Sequence, residues 1–121
     1  MQHKIYYFVS SSGENPVQKF LDSLSEKQQV KVLRIIQYIR DYGLIAVIPH
    51  TKKLRGTPFW EIRILGKDNI RIIYIVPMKE TVLLLHGFIK KSQKTSSRDI
   101  DISLTRYQEW KKRITWQNDI L

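Results

Sequence analysis

The sequence predicts an α+β fold in which helices pack on one face of a small antiparallel sheet. Three observations support this fold class. Apolar patterns along the 121 residues follow the order β-α-α-β-β-β-α. The helical patterns repeat apolar side chains at the spacing of a helix face. The last three strand-like runs have connections so short that only antiparallel hairpins fit. The length suits one domain spanning residues 1–121.

Local signals mark the first strand and the first helix. His3 to Val9 is a run of β-branched and aromatic residues that is typical of a strand. Asn15 and Pro16 are the pair expected of an N-cap and first helical residue, because proline lacks the N–H that a helix start leaves unpaired. We predict a short helix that ends near Leu24.

A second helix is predicted after Ser25. Ser25 and Gln28 have the spacing of a capping box, in which each side chain bonds the other residue's backbone N–H. Gly43 is the expected residue just past the helix end. One apolar stripe predicts a core-facing surface, formed by Val32, Ile35, Ile36 and Ile39.

The middle of the chain predicts a loop followed by three strands. The loop runs from Leu44 to Arg55 and has a basic end. The strands are predicted at Phe59–Leu65, Ile70–Val76 and Thr81–Phe88, separated by turn-forming residues.

A last helix is predicted to begin at Asp99 or Asp101. Its apolar stripe indicates packing in the core, including Trp110, and the alternative is an interface with a partner protein. The stripe consists of Ile100, Leu104, Tyr107, Trp110 and Ile114.

Strand alternation predicts which side chains share a face. If the last hairpin pairs Val76 with Thr81, Arg71 lies directly opposite His86. Arg63 joins Arg71 on one face only if the connection between their strands has an odd number of residues. A site shared by all three therefore requires a three-residue or bulged connection. The last strand is expected to present one face formed by Val82, Leu84, His86 and Phe88.

Positive charge is concentrated in the middle of the chain. The formal net charge is +10, and residues 50–98 carry 11 basic and 3 acidic side chains, a net +8. Residues 1–49 are net +2 and residues 99–121 are neutral. A concentrated positive face suggests a polyanionic partner such as nucleic acid, an anionic membrane or an acidic protein. The alternative is a solvated surface that only maintains solubility.

Several classes of site are excluded or not indicated. The chain has no cysteine, which excludes disulfides, thiolate metal sites and a cysteine nucleophile. Its three histidines are dispersed without ligand spacing, so no metal is predicted. No run approaches the ~18 apolar residues of a membrane span, and residues 1–10 lack a secretory signal pattern. We expect a cytoplasmic protein.

Three segments carry a family resemblance. They read WEIR at 60–63, RIIY at 71–74 and HGFIKKSQKT at 86–95. As a set, at this spacing, they resemble the HigB-type (phage Gp49-like) branch of the RelE/ParE toxin superfamily. The match extends over most of the chain and implies a RelE-like fold.

The resemblance implies the toxin of a type II toxin–antitoxin system. Such toxins are ribosome-dependent mRNA endonucleases that use no metal or other cofactor. A helix-turn-helix antitoxin (HigA-like) neutralises them, so mRNA, the ribosome with its rRNA and an antitoxin are the implied partners. By position, Arg63, Arg71, Lys90 and Lys91 match the family's basic active-site residues. Some relatives carry a tyrosine after this cluster that stacks on a base, whereas residues 94–98 contain no aromatic residue here.

Metal-free RNA cleavage defines the roles expected of these residues. The 2′-OH must lose its proton, the phosphorane must be stabilised and the 5′-oxygen must be protonated. Arg71, assisted by Arg63, is expected to stabilise the phosphorane because a guanidinium stays charged and binds phosphate bidentately. The candidates for proton transfer are His86, Lys91, Lys90 and Glu61.

Further residues are expected to contact RNA. Stacking on bases is expected of Phe88 or Tyr74. Phosphate contacts, with salt-sensitive affinity, are expected from Lys52, Lys53, Arg55, Lys67, Lys94 and Arg98.

Other interpretations stay open at this point. His86 can be a hydrogen-bonded structural residue, and Arg63 can simply pair with Glu61. At the level of function, the alternatives are a ParE-like inhibitor of DNA gyrase and a non-catalytic module that binds RNA or the ribosome.

Overall fold

The structure is a computed structural model that describes residues 3–64, 66–67, 69–91 and 94–120, with side chains up to residue 114. The strands in that part of the chain are β1 (Lys4–Tyr7), β2 (Thr51–Lys53), β3 (Trp60–Ile64), β4 (Ile70–Met78) and β5 (Thr81–Ile89). The α-helices are α1 (Pro16–Asp22), α2 (Glu26–Tyr42) and α3 (Ser97–Ile120), and a 3₁₀ segment spans Leu44–His50.

The strands form one mixed sheet in the order β1-β5-β4-β3-β2. The predicted α+β class is confirmed, and the three predicted hairpin strands are antiparallel neighbours. The prediction of a purely antiparallel sheet is wrong, because β1 pairs with β5 in parallel. A parallel pair needs a long crossover, and α1, α2 and the three strands β2 to β4 lie in it.

Helices cover both faces of the sheet, so the prediction of helices on one face is also wrong. One core lies between the sheet and the first two helices, where Val17 and Ile36 pack against Ile72. A second core lies on the opposite face, where Tyr107 and Trp110 of α3 pack on the sheet. The two central strands, β4 and β5, present apolar side chains on both faces of the sheet. Each face must therefore be buried by a helix of its own.

The helix ends follow the predicted local chemistry. The Asn15 side chain caps α1, and Ser25 and Gln28 form both bonds of the predicted capping box at α2. Gly43 follows the last residue of α2, as predicted. In α3, however, Leu104 is 39% exposed and Ser103 takes the buried position, where its hydroxyl donates to the Asp99 carbonyl.

The predicted loop from Leu44 to Arg55 is more ordered than expected. It contains the 3₁₀ segment and the edge strand β2, which pairs with β3. Val47 is fully buried and anchors the segment in the first core. Neither element is long enough to show a periodic pattern, and Pro49 inside the segment reads as a helix breaker. The predicted end of the next strand, Leu65, lies outside the described residues.

The register of the β4–β5 hairpin differs from the prediction. Arg71 lies opposite Phe88 and His86 opposite Ile73, so the predicted Arg71–His86 cross-strand pair is wrong. The strands reach Met78 and Thr81, which are joined by a two-residue turn with Glu80 at φ 58°.

Two irregularities in the ladder explain this register. Leu85 is an extra residue on β5, so the face of the strand changes between Leu84 and His86. On β4, Val76 and Pro77 together face Val82. Because proline cannot donate to the ladder, a bulge lets the strand continue through Pro77 where the sequence predicts a turn. The bulge at Leu85 also separates Val82 and Leu84 from His86 and Phe88, which were expected to share a face.

Candidate functional site

The second face of the sheet, on which α3 packs, also carries the predicted basic residues. Arg63 of β3 and Arg71 of β4 are direct cross-strand partners. Ile64 pairs with Ile70, so the connection between the strands has five residues. The condition of an odd connection is therefore met, with five residues rather than three.

A buried carboxylate lies beneath these arginines. Glu61 of β3 is only 1% exposed. Its Oε1 lies 3.7 Å from Nε of Arg71, and its Oε2 accepts a hydrogen bond of 2.6 Å from the Thr95 hydroxyl. The ion pair considered for Glu61 and Arg63 is thus formed by Glu61 and Arg71. A buried charge requires such partners, since its desolvation is costly.

Four cations lie near this carboxylate, and we refer to Lys52, Arg63, Arg71 and Lys90 as the cationic cluster. Lys90 interacts electrostatically with Glu61 and with the other three cations. Burial lowers the pKa of Lys90, and the three cations lower it further, while Glu61 raises it. Lys90 therefore faces the cluster, although alternation at the strand end left its direction open. Lys91 lies in the neighbouring hollow.

The two arginines differ in accessibility. Arg71 is 6% exposed, and its Nη1 donates to the Ile70 carbonyl at 3.0 Å. Burial lowers the pKa of Arg71, with Glu61 opposing the shift, but a guanidinium stays charged near neutrality. Arg63 is half-buried, so it offers more of its guanidinium to a ligand.

Both ring nitrogens of His86 have partners. Nε2 lies 2.7 Å from Asp99 Oδ1, and Nδ1 lies 3.3 Å from Nη1 of Arg106. Because arginine only donates, Nδ1 must accept, so Nε2 carries the proton and donates to Asp99. Burial lowers the pKa of His86 and Arg106 lowers it too, against the opposing effect of Asp99. This arrangement favours the structural interpretation of His86.

An aromatic ring and further cations line a hollow beside the cluster. The Phe88 ring stacks on His86 with centroids 5.2 Å apart and an interplanar angle of 18°. The hollow has a volume of about 330 Å³ between the end of β5 and the start of α3. Its lining includes Phe88, Lys90, Lys91, Lys94 and Arg98. An aromatic face with surrounding cations suits a nucleotide.

Four predicted contact residues lie away from the cluster. Tyr74 is 2% exposed and belongs to the first core on the opposite face, so it cannot stack on a base there. Burial raises the pKa of Tyr74 to about 12, against a hydrogen bond with Thr51. Lys53 donates to the Thr57 carbonyl. Arg55 and Lys67 are exposed in separate turns.

Some residues that shape the site were not singled out from the sequence. Thr95 bonds Glu61, while Asp99 and Arg106 hold His86. Ser96 and Asp99 do have the spacing of a helix cap, and the Ser96 hydroxyl donates to Asp99 at 2.5 Å. That spacing indicates the start of α3 but not the contact with His86, because the contact depends on how α3 packs on the sheet.

Metal ligation and membrane insertion have no structural signal in the part of the chain that is described. Within these residues, no three His, Cys, Asp or Glu side chains are grouped in a way that could hold a metal ion. No helix among them combines the length and apolar content needed to cross a bilayer.

Fold and site together define a small α+β protein with a cationic sheet face. The family model described as phage derived protein Gp49-like (DUF891) matches residues 19–108, and the chain belongs to this family. The family is associated with the toxins of toxin–antitoxin systems. A search of curated proteins gave no match. The matched range contains β3, β4, β5 and the whole cationic cluster.

Proposed function

We propose that this protein is the toxin of a type II toxin–antitoxin system and a ribosome-dependent mRNA endonuclease. The observation that carries the proposal is the cationic cluster around a buried carboxylate, next to a hollow with an aromatic side. Family membership supports the toxin class. The proposal includes a helix-turn-helix antitoxin as partner and needs no metal or other cofactor.

The cluster is suited to stabilise charge on a cleaved phosphodiester. In the proposed reaction the 2′-oxygen of RNA bonds to the adjacent phosphorus and the 5′-oxygen departs, leaving a 2′,3′-cyclic phosphate and a 5′-hydroxyl. Arg63 and Lys52 are accessible enough to bind the phosphate oxygens. Arg71 lies deeper, where it neutralises Glu61 and adds positive potential.

Lys90 is our candidate for proton transfer. Burial and three neighbouring cations lower its pKa, which increases the neutral fraction that can accept the 2′-OH proton. The resulting ammonium can return that proton to the departing 5′-oxygen. His86 is a weaker candidate because Asp99 and Arg106 occupy its nitrogens.

The test is to induce the protein in bacterial cells and map new mRNA 5′ ends. Wild-type protein is expected to produce cuts in translated messages that follow the reading frame. Arg63→Ala should abolish them, and Lys90→Arg, which keeps the charge but hardly deprotonates, should reduce them by about 100-fold. Arg34→Ala is the matched control, because it removes an exposed arginine from α2 and should leave cleavage unchanged.

Two outcomes would replace the proposal with its rivals. Growth arrest with DNA damage and intact mRNA would indicate inhibition of gyrase. Normal growth with ribosome association alone would indicate a non-catalytic binding module. Co-expression with the neighbouring reading frame tests the partner, which should restore growth if it encodes the antitoxin.

A further inference from the structure

The hydrogen bond from Thr95 to Glu61 joins two parts of the chain that are 34 residues apart in sequence. The Thr95 hydroxyl donates to Glu61 Oε2 at 2.6 Å, within the range of a strong bond to a carboxylate. Thr95 is half-buried and Glu61 almost fully buried. Water therefore competes poorly for this contact.

Thr95 follows the three lysines that come after β5, namely Lys90, Lys91 and Lys94. The backbone N–H of Lys90 donates to the Asn69 carbonyl at 2.8 Å, which fixes the start of this stretch. At its end, the bond from the Ser96 hydroxyl to Asp99 belongs to the start of α3. Of these three attachments, the Thr95 bond is the one that reaches the carboxylate beneath the cationic cluster.

The same bond limits what Glu61 can do. Oε2 of Glu61 accepts the hydrogen bond from Thr95, and Oε1 lies 3.7 Å from Nε of Arg71. A carboxylate that is 1% exposed cannot reach a hydroxyl of a bound RNA. Its geometry suits an anchor rather than the general base considered from the sequence.

We propose that Thr95 is a positioning residue, whose bond to Glu61 holds Lys90 at the cationic cluster and Lys91 and Lys94 in the neighbouring hollow. Its consequence for catalysis rests on the proposed function, whereas its effect on these lysines does not. A nearly isosteric change that removes only the hydroxyl tests both, because Thr95→Val keeps the shape of the side chain and Thr95→Ser keeps the donor.

Limited trypsin digestion of the full chain measures the positioning directly. Loss of a hydrogen bond to a charged group should accelerate cleavage after Lys90 and Lys91 about tenfold in Thr95→Val. Cleavage after Arg55, in a separate turn, should not change. Thr95→Ser should behave like the wild type, and so should Thr105→Val, which removes an exposed hydroxyl from α3.

Steady-state cleavage of RNA on ribosomes gives the second readout. We expect kcat/KM to fall about tenfold in Thr95→Val and to recover in Thr95→Ser, by the same loss of one charged hydrogen bond. If wild-type protein does not cleave RNA, the proposed function fails and digestion alone decides the role of Thr95.

Two digestion results would overturn the inference. Unchanged cleavage after Lys90 and Lys91 in Thr95→Val would show that the hydroxyl does not hold them. Equal acceleration at Arg55 would show that the hydroxyl supports the fold as a whole rather than this stretch.

Discussion

Among single residues, Glu61 has the greatest structural consequence for the site. A buried carboxylate is tolerated only when partners replace its lost hydration. Arg71 and Thr95 are its nearest partners, and the remaining cations of the cluster add to the local positive potential. The same charges that are proposed to bind RNA therefore also stabilise a buried acid in the fold.

Arg71→Ala should lower the free energy of unfolding by about 3 kcal/mol, because it leaves Glu61 without its nearest cation. Because the other cations of the cluster remain, the decrease in unfolding free energy should lie at the low end of the range for a broken buried ion pair. Denaturation with guanidinium chloride measures this decrease. The double variant Arg71→Ala/Glu61→Leu should recover part of the loss, and Arg34→Ala should stay within about 0.5 kcal/mol of wild type. Additive effects of the two substitutions would contradict the pairing.

Stability should fall on acidification through His86. Its folded pKa lies below the unfolded value, so between the two values the unfolded chain binds more protons. The contribution of His86 is therefore complete above the unfolded pKa of about 6.5 and is lost as the pH falls toward the folded value. Denaturation at pH 7 and pH 5 should show a smaller decrease in His86→Gln. An equal decrease in both proteins would rule out this contribution.

The residues of the site were predictable to different degrees. Strand alternation predicted that Arg63 and Arg71 share a face only if the connection between their strands has an odd number of residues. The observed register confirms that the connection is odd and that the two arginines are cross-strand partners. It could not choose between Lys90 and Lys91, because alternation at a strand end depends on the neighbouring ladder. Tyr74 was expected to stack on a base, but it lies in the first core, on the face opposite Arg71 to which strand alternation assigns it.

At the scale of elements, α1 and β5 approach each other unusually closely at Gly87. A Cβ on Gly87 would lie 2.9 Å from Cγ of Phe20 and closer to Cδ2. Glycine is therefore required here by packing rather than by its backbone angles. This contact fixes α1 against the strand that also carries His86 and Phe88.

Gly87→Ala should destabilise the protein by about 1–3 kcal/mol through overpacking. Phe20→Leu, introduced together with it, should relieve part of the clash. A double-mutant cycle measured by thermal or guanidinium denaturation should give a favourable coupling energy. If Gly87→Ala alone is neutral, α1 is free to shift and the contact does not constrain the packing.

Elements with local signals were predicted, and those set by tertiary contacts were not. The caps of α1 and α2 are formed by residues close together in sequence, so the sequence predicted both helix starts correctly. The edge strand β2 has three residues and exists through its pairing with β3. The hairpin register depends on bulges that only the packing of both faces determines, which is why Arg71 and His86 were paired incorrectly.

At the scale of the whole molecule, charge and topology coincide. The strands β2 to β5 and the residues around them contain most of the net +10 charge, and the cationic cluster brings four of these cations to one face. Long-range attraction should bring RNA to the protein, and the cluster should define where it binds.

RNA binding should be strongly salt-dependent, with a contribution from each cation that contacts phosphate. For single-stranded RNA, Arg63→Ala should reduce the slope of log K against log salt by about 0.7, the value for one lost phosphate contact. Arg34→Ala should leave the slope unchanged. Fluorescence anisotropy with a short labelled RNA measures both. If Arg63→Ala and Arg34→Ala reduced the slope equally, RNA would be attracted by the overall charge and not bound at a defined site.

The extra residue Leu85 makes β5 a strand of two halves. Before it, alternate side chains fill the two cores; after it, His86 and Phe88 turn to the site. Deletion of Leu85 would remove the extra residue and leave Leu84 and His86 opposite Tyr74 and Ile73 in a regular ladder, so the residues after the bulge would keep their faces. We expect this deletion to cost about 2–5 kcal/mol of unfolding free energy, as Leu85→Ala should, because both changes remove a buried side chain from the second core. The bulge thus adds one buried side chain to the second core while the residues after it keep their partners on β4.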